Sequence, residues 1–193
     1  MSPEHQIILT GIGGQGVQIA ATVLASAAIK ESMEALQLAT YTGAMRGGQS
    51  MVSLVLSRSK IVSPPVLTAA GFGVIMHGHH SEEALSKIRP DGFLLTNKRL
   101  VKSAVHQHIE RVRSIDGVQI ASEAGSPSAV SMVMVAAFAR ITGLVGIDAM
   151  VEAMSESVPS YRRERITQNE AALRAGYDFG AGLEIASGRE AVA

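Results

Sequence analysis

The chain of 193 residues is 47% hydrophobic, only 4% aromatic and 18% charged. That balance suits one compact globular domain and excludes a disordered or fibrous chain. Seventeen basic residues balance seventeen acidic ones and there is no cysteine. This excludes long-range attraction to nucleic acid, a disulfide framework, a thiolate metal site, a protein-held iron–sulfur cluster and a cysteine nucleophile.

From Gln6 to Thr10 an apolar run predicts a strand, stopped by Gly11-Ile12-Gly13-Gly14-Gln15-Gly16. Small and branched residues then continue to Ile29 with helical spacing, and Val17, Ala20, Ala21, Leu24, Ala28 and Ile29 form an apolar stripe. The pattern is strand, tight loop and buried crossover helix. Glu34 to Ala39 predicts a second strand, followed by a polar, glycine-rich loop from Thr40 through Gly48 to Gln49. Met51 to Leu56 predicts a strand covered on most of its length, and the connection after it ends at Ser63-Pro64-Pro65.

Gly73 to Met76 and Phe93 to Thr96 are further short strands, separated by a helix from Ser81 to Ile88 with Glu82 and Glu83 in its first turn. His106 and His108 fall in an expected helix. Pro127 to Ile141 predicts a strongly apolar, central helix; Ile147 to Ser157 and Arg162 to Ala175 give two more before a poorly patterned tail. Arg162, Arg163 and Arg165, interleaved with Glu164, read as a solvated or partner-facing cluster. The longest apolar run, Met132 to Ala139, is eight residues, against roughly 20 needed to cross a bilayer. With no signal-like segment at the N-terminus, a cytoplasmic location is expected. The weakly charged surface fits a subunit of a larger assembly better than a lone monomer.

Alternating strands and helices imply one three-layer α/β/α domain over residues 1–193, with a largely parallel, possibly mixed sheet. Ligands of such sheets sit at the carboxyl ends of the strands. Here those ends are the loops Gly11 to Gly16, Thr40 to Gly48 and His77 to His80.

The first loop satisfies G-x-G-x-x-G in the strand-to-helix context of dinucleotide binding. Glycines there allow a tight turn, with Gly14 at positive φ, and let an anion approach the helix N-terminus. The acidic residue that would hold a ribose is missing: Glu31 precedes the second strand and Glu34 opens it, while its end carries Ala39-Thr40-Tyr41. Dinucleotide binding, a structural turn, and an anion or partner surface all remain compatible with the motif. Arg46, followed directly by Gly47 and Gly48, either presents its fork to a carboxylate or phosphate or ties the loop to carbonyls. Tyr41 either stacks on a ligand or fills the sheet edge. His77, His79 and His80 invite a metal, although adjacent strand-end histidines would point to opposite sides; otherwise they line a surface. No serine sits in G-x-S-x-G and no spaced carboxylate pair stands out, so no catalytic residue and no metal ligand is assigned.

Together, Gly11-Ile12-Gly13-Gly14-Gln15-Gly16, Thr40-Tyr41 with Arg46-Gly47-Gly48, Ser63-Pro64, Ser131-Met132-Val133-Met134 with Thr142-Gly143-Leu144, and Asn169 through Gly176-Tyr177 resemble the gamma subunit, or gamma domain, of 2-oxoacid:ferredoxin oxidoreductases. The resemblance runs from about Ile7 to Tyr177. It implies a non-redox subunit, inactive alone, of a complex that oxidatively decarboxylates a 2-oxoacid, makes an acyl-CoA and reduces ferredoxin or another acceptor. Thiamine diphosphate and iron–sulfur clusters are then expected on alpha/beta and ferredoxin-like partner subunits. Gly13, Gly14, Gln15, Gly16, Thr40, Tyr41, Arg46, Gly47 and Gly48 are the residues it suggests for contacts with coenzyme A or a partner. The alternative is a free-standing nucleotide-binding protein of Rossmann type. Two departures stand out: Ala44 falls where the family's glutamate would orient the arginine, and Ser131 replaces a frequent asparagine.

Overall fold

The computed structural model describes residues 3–41, 47–102, 107–157 and 164–183. Six strands form one sheet: β1 (His5–Ile12), β2 (Glu34–Tyr41), β3 (Gln49–Ser57), β4 (Ala70–Ile75), β5 (Ile88–Asn97) and β6 (Arg111–Ile115), in the order β2-β3-β1-β4-β5-β6. Strands β1, β4, β5 and β6 are mutually parallel, while β3 is antiparallel to both β1 and β2. Five strands therefore share one direction and only β3 is reversed. The expectation of a largely parallel, mixed sheet is met.

The helices are α1 (Val17–Lys30), α2 (Glu82–Ser86), α3 (Gly117–Glu123), α4 (Val130–Thr142), α5 (Ile147–Ser157) and α6 (Glu164–Gly180). They cover the sheet unequally. On one face Ile7, Leu9, Val74, Phe93 and Leu95 pack with α1, α3 and α4, and α5 and α6 close over those helices. On the other, Ile8, Val55, Ile75 and Leu94 are covered by Ala84 and Leu85 of α2 and by Leu67, Val101 and Ile109 from connecting segments.

The run from Ser131 to Ala139 is buried on every side, as an all-round apolar helix must be. The sheet covers one flank and α6 the other. α6 approaches closely because it presents glycines: a Cβ on Gly176 would run into the Val133 carbonyl, and one on Gly180 would lie 2.9 Å from the Ala137 oxygen. At the far end of α1, Lys30 reaches Glu152 and Glu156 of α5 at 2.9 and 2.8 Å.

Several elements differ from expectation. Thr40 and Tyr41 belong to β2, opposite Met51 and Ser50, because edge pairing extends the strand beyond its apolar core. The helix expected over Ser81–Ile88 shrinks to α2, and Ile88 opens β5. Ser81 occupies the N-cap but its hydroxyl donates to the Gly78 carbonyl at 2.8 Å instead of capping. His108 lies in a turn, with a ring nitrogen 3.2 Å from the Leu85 carbonyl oxygen, rather than in a helix. His106, Arg162 and Arg163 are outside the described residues. β6 and α3 carry weak patterns and were not expected.

Candidate functional site

The carboxyl ends of β1, β2 and β4, and the start of β3, lie on one edge of the sheet. Two of the loops suggested by the sequence are joined there. The Gly13 amide donates to the Gly48 carbonyl at 2.8 Å and the Gly47 amide to the Gly13 carbonyl at 3.4 Å. The β1–α1 loop and the end of the β2–β3 connection thus form one rim. Gly14 and Gly47 have φ of 100° and 94°, with open space where a Cβ would stand. Positive φ at Gly14 was the expectation.

Gln15 has a structural task. Its amide donates to the Ile12 carbonyl at 3.1 Å and its Oε1 accepts from the Ile12 amide at 3.0 Å, closing the turn from both sides. Gly16 is the N-cap of α1 at φ 79°, no side chain caps the helix, and no acid lies in its first turn. The unpaired amides of that turn therefore face outward with the positive end of the helix dipole. Thr40 is exposed at the rim's outer end. Arg46 and the Tyr41 side chain lie outside the described residues.

A cavity of about 250 Å³ opens beside the rim, bounded by Gly14 and Gln15 on one side, by Met76 and Leu100 below, and by Ser128 and Ser131 on the other. Among the described residues, neither this set nor the remaining wall, Pro127 and Val130, contains an acid or base. Ser128 was not among the sequence candidates and carries no motif that marks it, whereas Ser131 belongs to a stretch that carries the family resemblance. Two wider hollows of about 550 Å³ each flank Lys98, beyond the ends of β5 and β6. Arg99, beside one of them, is paired with Asp116 at 2.8 Å.

The three histidines follow β4 in a turn, and the expected divergence of neighbouring rings is not found. His79 and His80 rings lie 3.8 Å apart, because His80 adopts φ 59°. His77 Nδ1 accepts from the His79 amide at 3.0 Å. Burial, and secondarily the nearby His79, push the His77 imidazole below its ordinary pKa. Among the described residues no group of three His, Cys, Asp or Glu side chains is placed to hold a metal ion.

A Rossmann-type ribose site is also missing its geometry. β3 stands between β1 and β2, so the end of β2 is about 10 Å from β1, twice the usual strand spacing. The two acids near β2 are engaged at its opposite end: Glu34 Oε2 accepts from the Ile61 amide at 2.8 Å, and Glu31 Oε1 from the Gly146 amide at 2.7 Å.

Comparison with known proteins agrees with this architecture. The family model described as pyruvate ferredoxin/flavodoxin oxidoreductase matches residues 6–179. A 2-oxoglutarate synthase subunit KorC from Methanocaldococcus jannaschii is 29% identical over 187 residues, covering 91% of this chain and 93% of that protein. Among solved structures, the gamma subunit of a keto/oxoacid ferredoxin oxidoreductase from Geobacter sulfurreducens shares the fold. It has a TM-score of 0.77 at 21% identity, over 95% of this chain and 99% of that one. A 2-oxoglutarate:ferredoxin oxidoreductase from Magnetococcus marinus, solved with 2-oxoglutarate, coenzyme A and succinyl-CoA, contains the same fold in a longer polypeptide. There the TM-score is 0.76 at 18% identity, over 93% of this chain but 31% of that one. On the family match, which spans the β1 loop, the rim and the central helix alike, the chain belongs to the pyruvate ferredoxin/flavodoxin oxidoreductase family, as a chain of the gamma-subunit type.

Proposed function

We propose that this chain serves a thiamine diphosphate-dependent 2-oxoacid:acceptor oxidoreductase as its non-redox gamma subunit, inactive alone. Alpha/beta and ferredoxin-like partners in the cytoplasm hold the thiamine and the clusters and pass electrons to ferredoxin or another acceptor. The observation that carries this is the rim: two loops joined through Gly13, Gly47 and Gly48 beside an uncapped helix N-terminus, with no acid or base among the described residues that line the adjoining cavity. Such a surface suits binding and positioning of an anionic group or a partner. The donor set agrees, since a chain without cysteine offers no thiolates to a cluster. No described helix is long and apolar enough to cross a membrane.

Within that role, Gly13, Gly14, Gln15, Gly16, Thr40, Tyr41, Arg46, Gly47 and Gly48 form the surface that meets the anionic part of coenzyme A or a partner chain. Backbone amides at the glycines and the guanidinium of Arg46 are the donors such an anion requires. The relative solved with coenzyme A shares the fold and supports this assignment.

Affinity isolation of the tagged chain from its native cell tests the role, and thiamine- and cluster-containing partners are the expected catch. Arg46→Ala then tests the surface. Loss of an anion contact of roughly 1.5–3 kcal/mol weakens coenzyme A binding by the complex about tenfold or more, with the melting temperature unchanged. Recovery of the chain only as a free, NAD-binding monomer refutes the role; equal loss of folding and binding assigns Arg46 to loop structure.

A further inference from the structure

The two edges of the sheet are not alike. β6 is five residues long and carries exposed Arg111 and Arg113, the short, charged kind of strand that discourages pairing with another chain. β2 is eight residues long, and from Ala35 to Tyr41 it holds no charge and no proline. It pairs with β3 without a bulge, and among the described residues no strand lies along its outer side. Its one charged residue, Glu34, is engaged with the Ile61 amide at 2.8 Å. None of the usual guards protects this edge.

Apolar side chains stand exposed on both faces beside it. Leu36 and Leu38, 39% and 38% exposed, lie on the face that α2 covers elsewhere, next to Val55 and Ser53 of β3. On the other face α1 lies over β2 and β3, and Thr22 Oγ1 accepts from Gln37 Nε2 at 3.3 Å. Thr22 stands in one helical stripe with Ile19 and Ile29, both more than half exposed. Four of the seven large apolar side chains exposed among the described residues thus flank a single strand edge.

The strand is also complementary to itself. Ala35-Leu36-Gln37-Leu38-Ala39 reads the same in both directions. With a second copy laid antiparallel along the edge about a two-fold axis at Gln37, each leucine meets a leucine, each alanine an alanine, and Gln37 its own counterpart. Glu34 then faces Thr40, and the two Glu34 residues are six positions, about 20 Å, apart, so no like charges are opposed. Moving the axis to Leu36 or Leu38 instead sets a leucine against Glu34 or Thr40. We infer that two copies of this chain pair through β2, joining their six-stranded sheets into one. The axis stands perpendicular to the sheet and keeps both copies of α1 on the same side, with their Ile19 and Ile29 stripes toward each other. Because the paired strands run in opposite directions, the two rims lie at opposite edges of the joined sheet and both stay open.

The test is the oligomeric state of the full chain, measured by sedimentation velocity over a concentration series. A species of twice the 20.2 kDa chain mass is expected. Leu36→Lys/Leu38→Lys places cations on the pairing surface and gives monomer at every concentration where the unaltered chain is dimeric. Its far-ultraviolet spectrum is retained, because both side chains are exposed. Phe179→Ser, which removes an exposed apolar group from α6, leaves the dimer intact. Single cysteines then read the register against a cysteine-free background, and they decide the matter should the lysine variant not fold. Opposed Cα atoms of an antiparallel pair are about 4.5–5.5 Å apart, within disulfide reach, so Gln37→Cys is expected to cross-link to itself under mild oxidation. Glu34→Cys is not, yet it cross-links to Thr40→Cys when the two are mixed. A chain that stays monomeric overturns the inference, including one whose Gln37→Cys thiol becomes protected only in the isolated complex, which gives the edge to a partner subunit. A dimer that survives Leu36→Lys/Leu38→Lys, a dimer lost in Phe179→Ser, or Gln37→Cys that cross-links no faster than Glu34→Cys overturns it equally. The partner-isolation result stands or falls separately.

Discussion

Replacing Gly16 by alanine tests the junction on which the rim depends, because two separable costs meet there. The first is backbone strain: φ is 79°, and an L-residue held in the left-handed region costs about 1–2 kcal/mol. The second is contact: the new Cβ would stand 2.8 Å from Ser131 Oγ but 3.7 Å from Ser131 Cβ. Only the hydroxyl is in the way, and turning it aside costs about 0.5–1.5 kcal/mol of rotamer energy. Gly14→Ala supplies the reference, since φ there is 100° with nothing within 4 Å of the Cβ position. Chemical denaturation followed by circular dichroism is expected to give a loss of about 1–2 kcal/mol for Gly14→Ala. For Gly16→Ala the loss is about 1 kcal/mol larger, equivalent to about 3 °C more in melting temperature for a domain of this length. In a Ser131→Ala background the excess disappears, because the remaining Cβ at 3.7 Å is in ordinary contact. Equal losses at the two glycines, or a coupling below about 0.3 kcal/mol in the double-mutant cycle, refute the proximity of the two helix starts.

Gly176→Leu forces α6 away from the Val133 carbonyl and is expected to destabilise by about 3 kcal/mol or more as overpacking against backbone, seen as a lowered denaturation midpoint; a change below 1 kcal/mol would contradict the packing of α6 on α4. Acidification acts through His5 and His77. Burial is the first cause that lowers both imidazole pKa values, with Arg58 assisting at His5 and His79 at His77. Because the unfolded chain binds these protons more readily, their contribution is complete above the unfolded value of about 6.5 and is lost as pH falls below it. Stability measured between about pH 7.5 and pH 5 should therefore decline, and His5→Gln/His77→Gln should flatten the slope; an unchanged slope removes both groups from the account.

Much of the rim was legible in the residues themselves. A strand that ends in glycines and resumes as an alanine-rich helix admits few alternatives, since only glycine sits easily at the φ of 100° and 79° found at Gly14 and Gly16. The central helix was equally plain, because eight consecutive apolar residues leave no face for water. Thr40 and Tyr41 were misplaced in a loop because their strand state comes from pairing with Met51 and Ser50, not from their own pattern. β6, with its exposed arginines at positions 111 and 113, lacks alternation clear enough to announce an edge strand. The stacked His79 and His80 rings depend on the left-handed turn at His80, a conformation that histidine composition does not reveal.

What the amino-acid order determined alone is therefore local and compositional: the glycine turn, the apolar central helix, and the want of any thiol to hold a metal cluster. Each follows from sterics or side-chain chemistry within a few residues. Tertiary structure alone decided that β3 runs backward between β1 and β2, that Gly13 bonds to Gly48, and that Ser131 meets the start of α1 from a position 115 residues away in the chain. Those contacts are selected by which sheet edges and helix faces are buried together, a condition on the whole molecule that no short window of sequence contains.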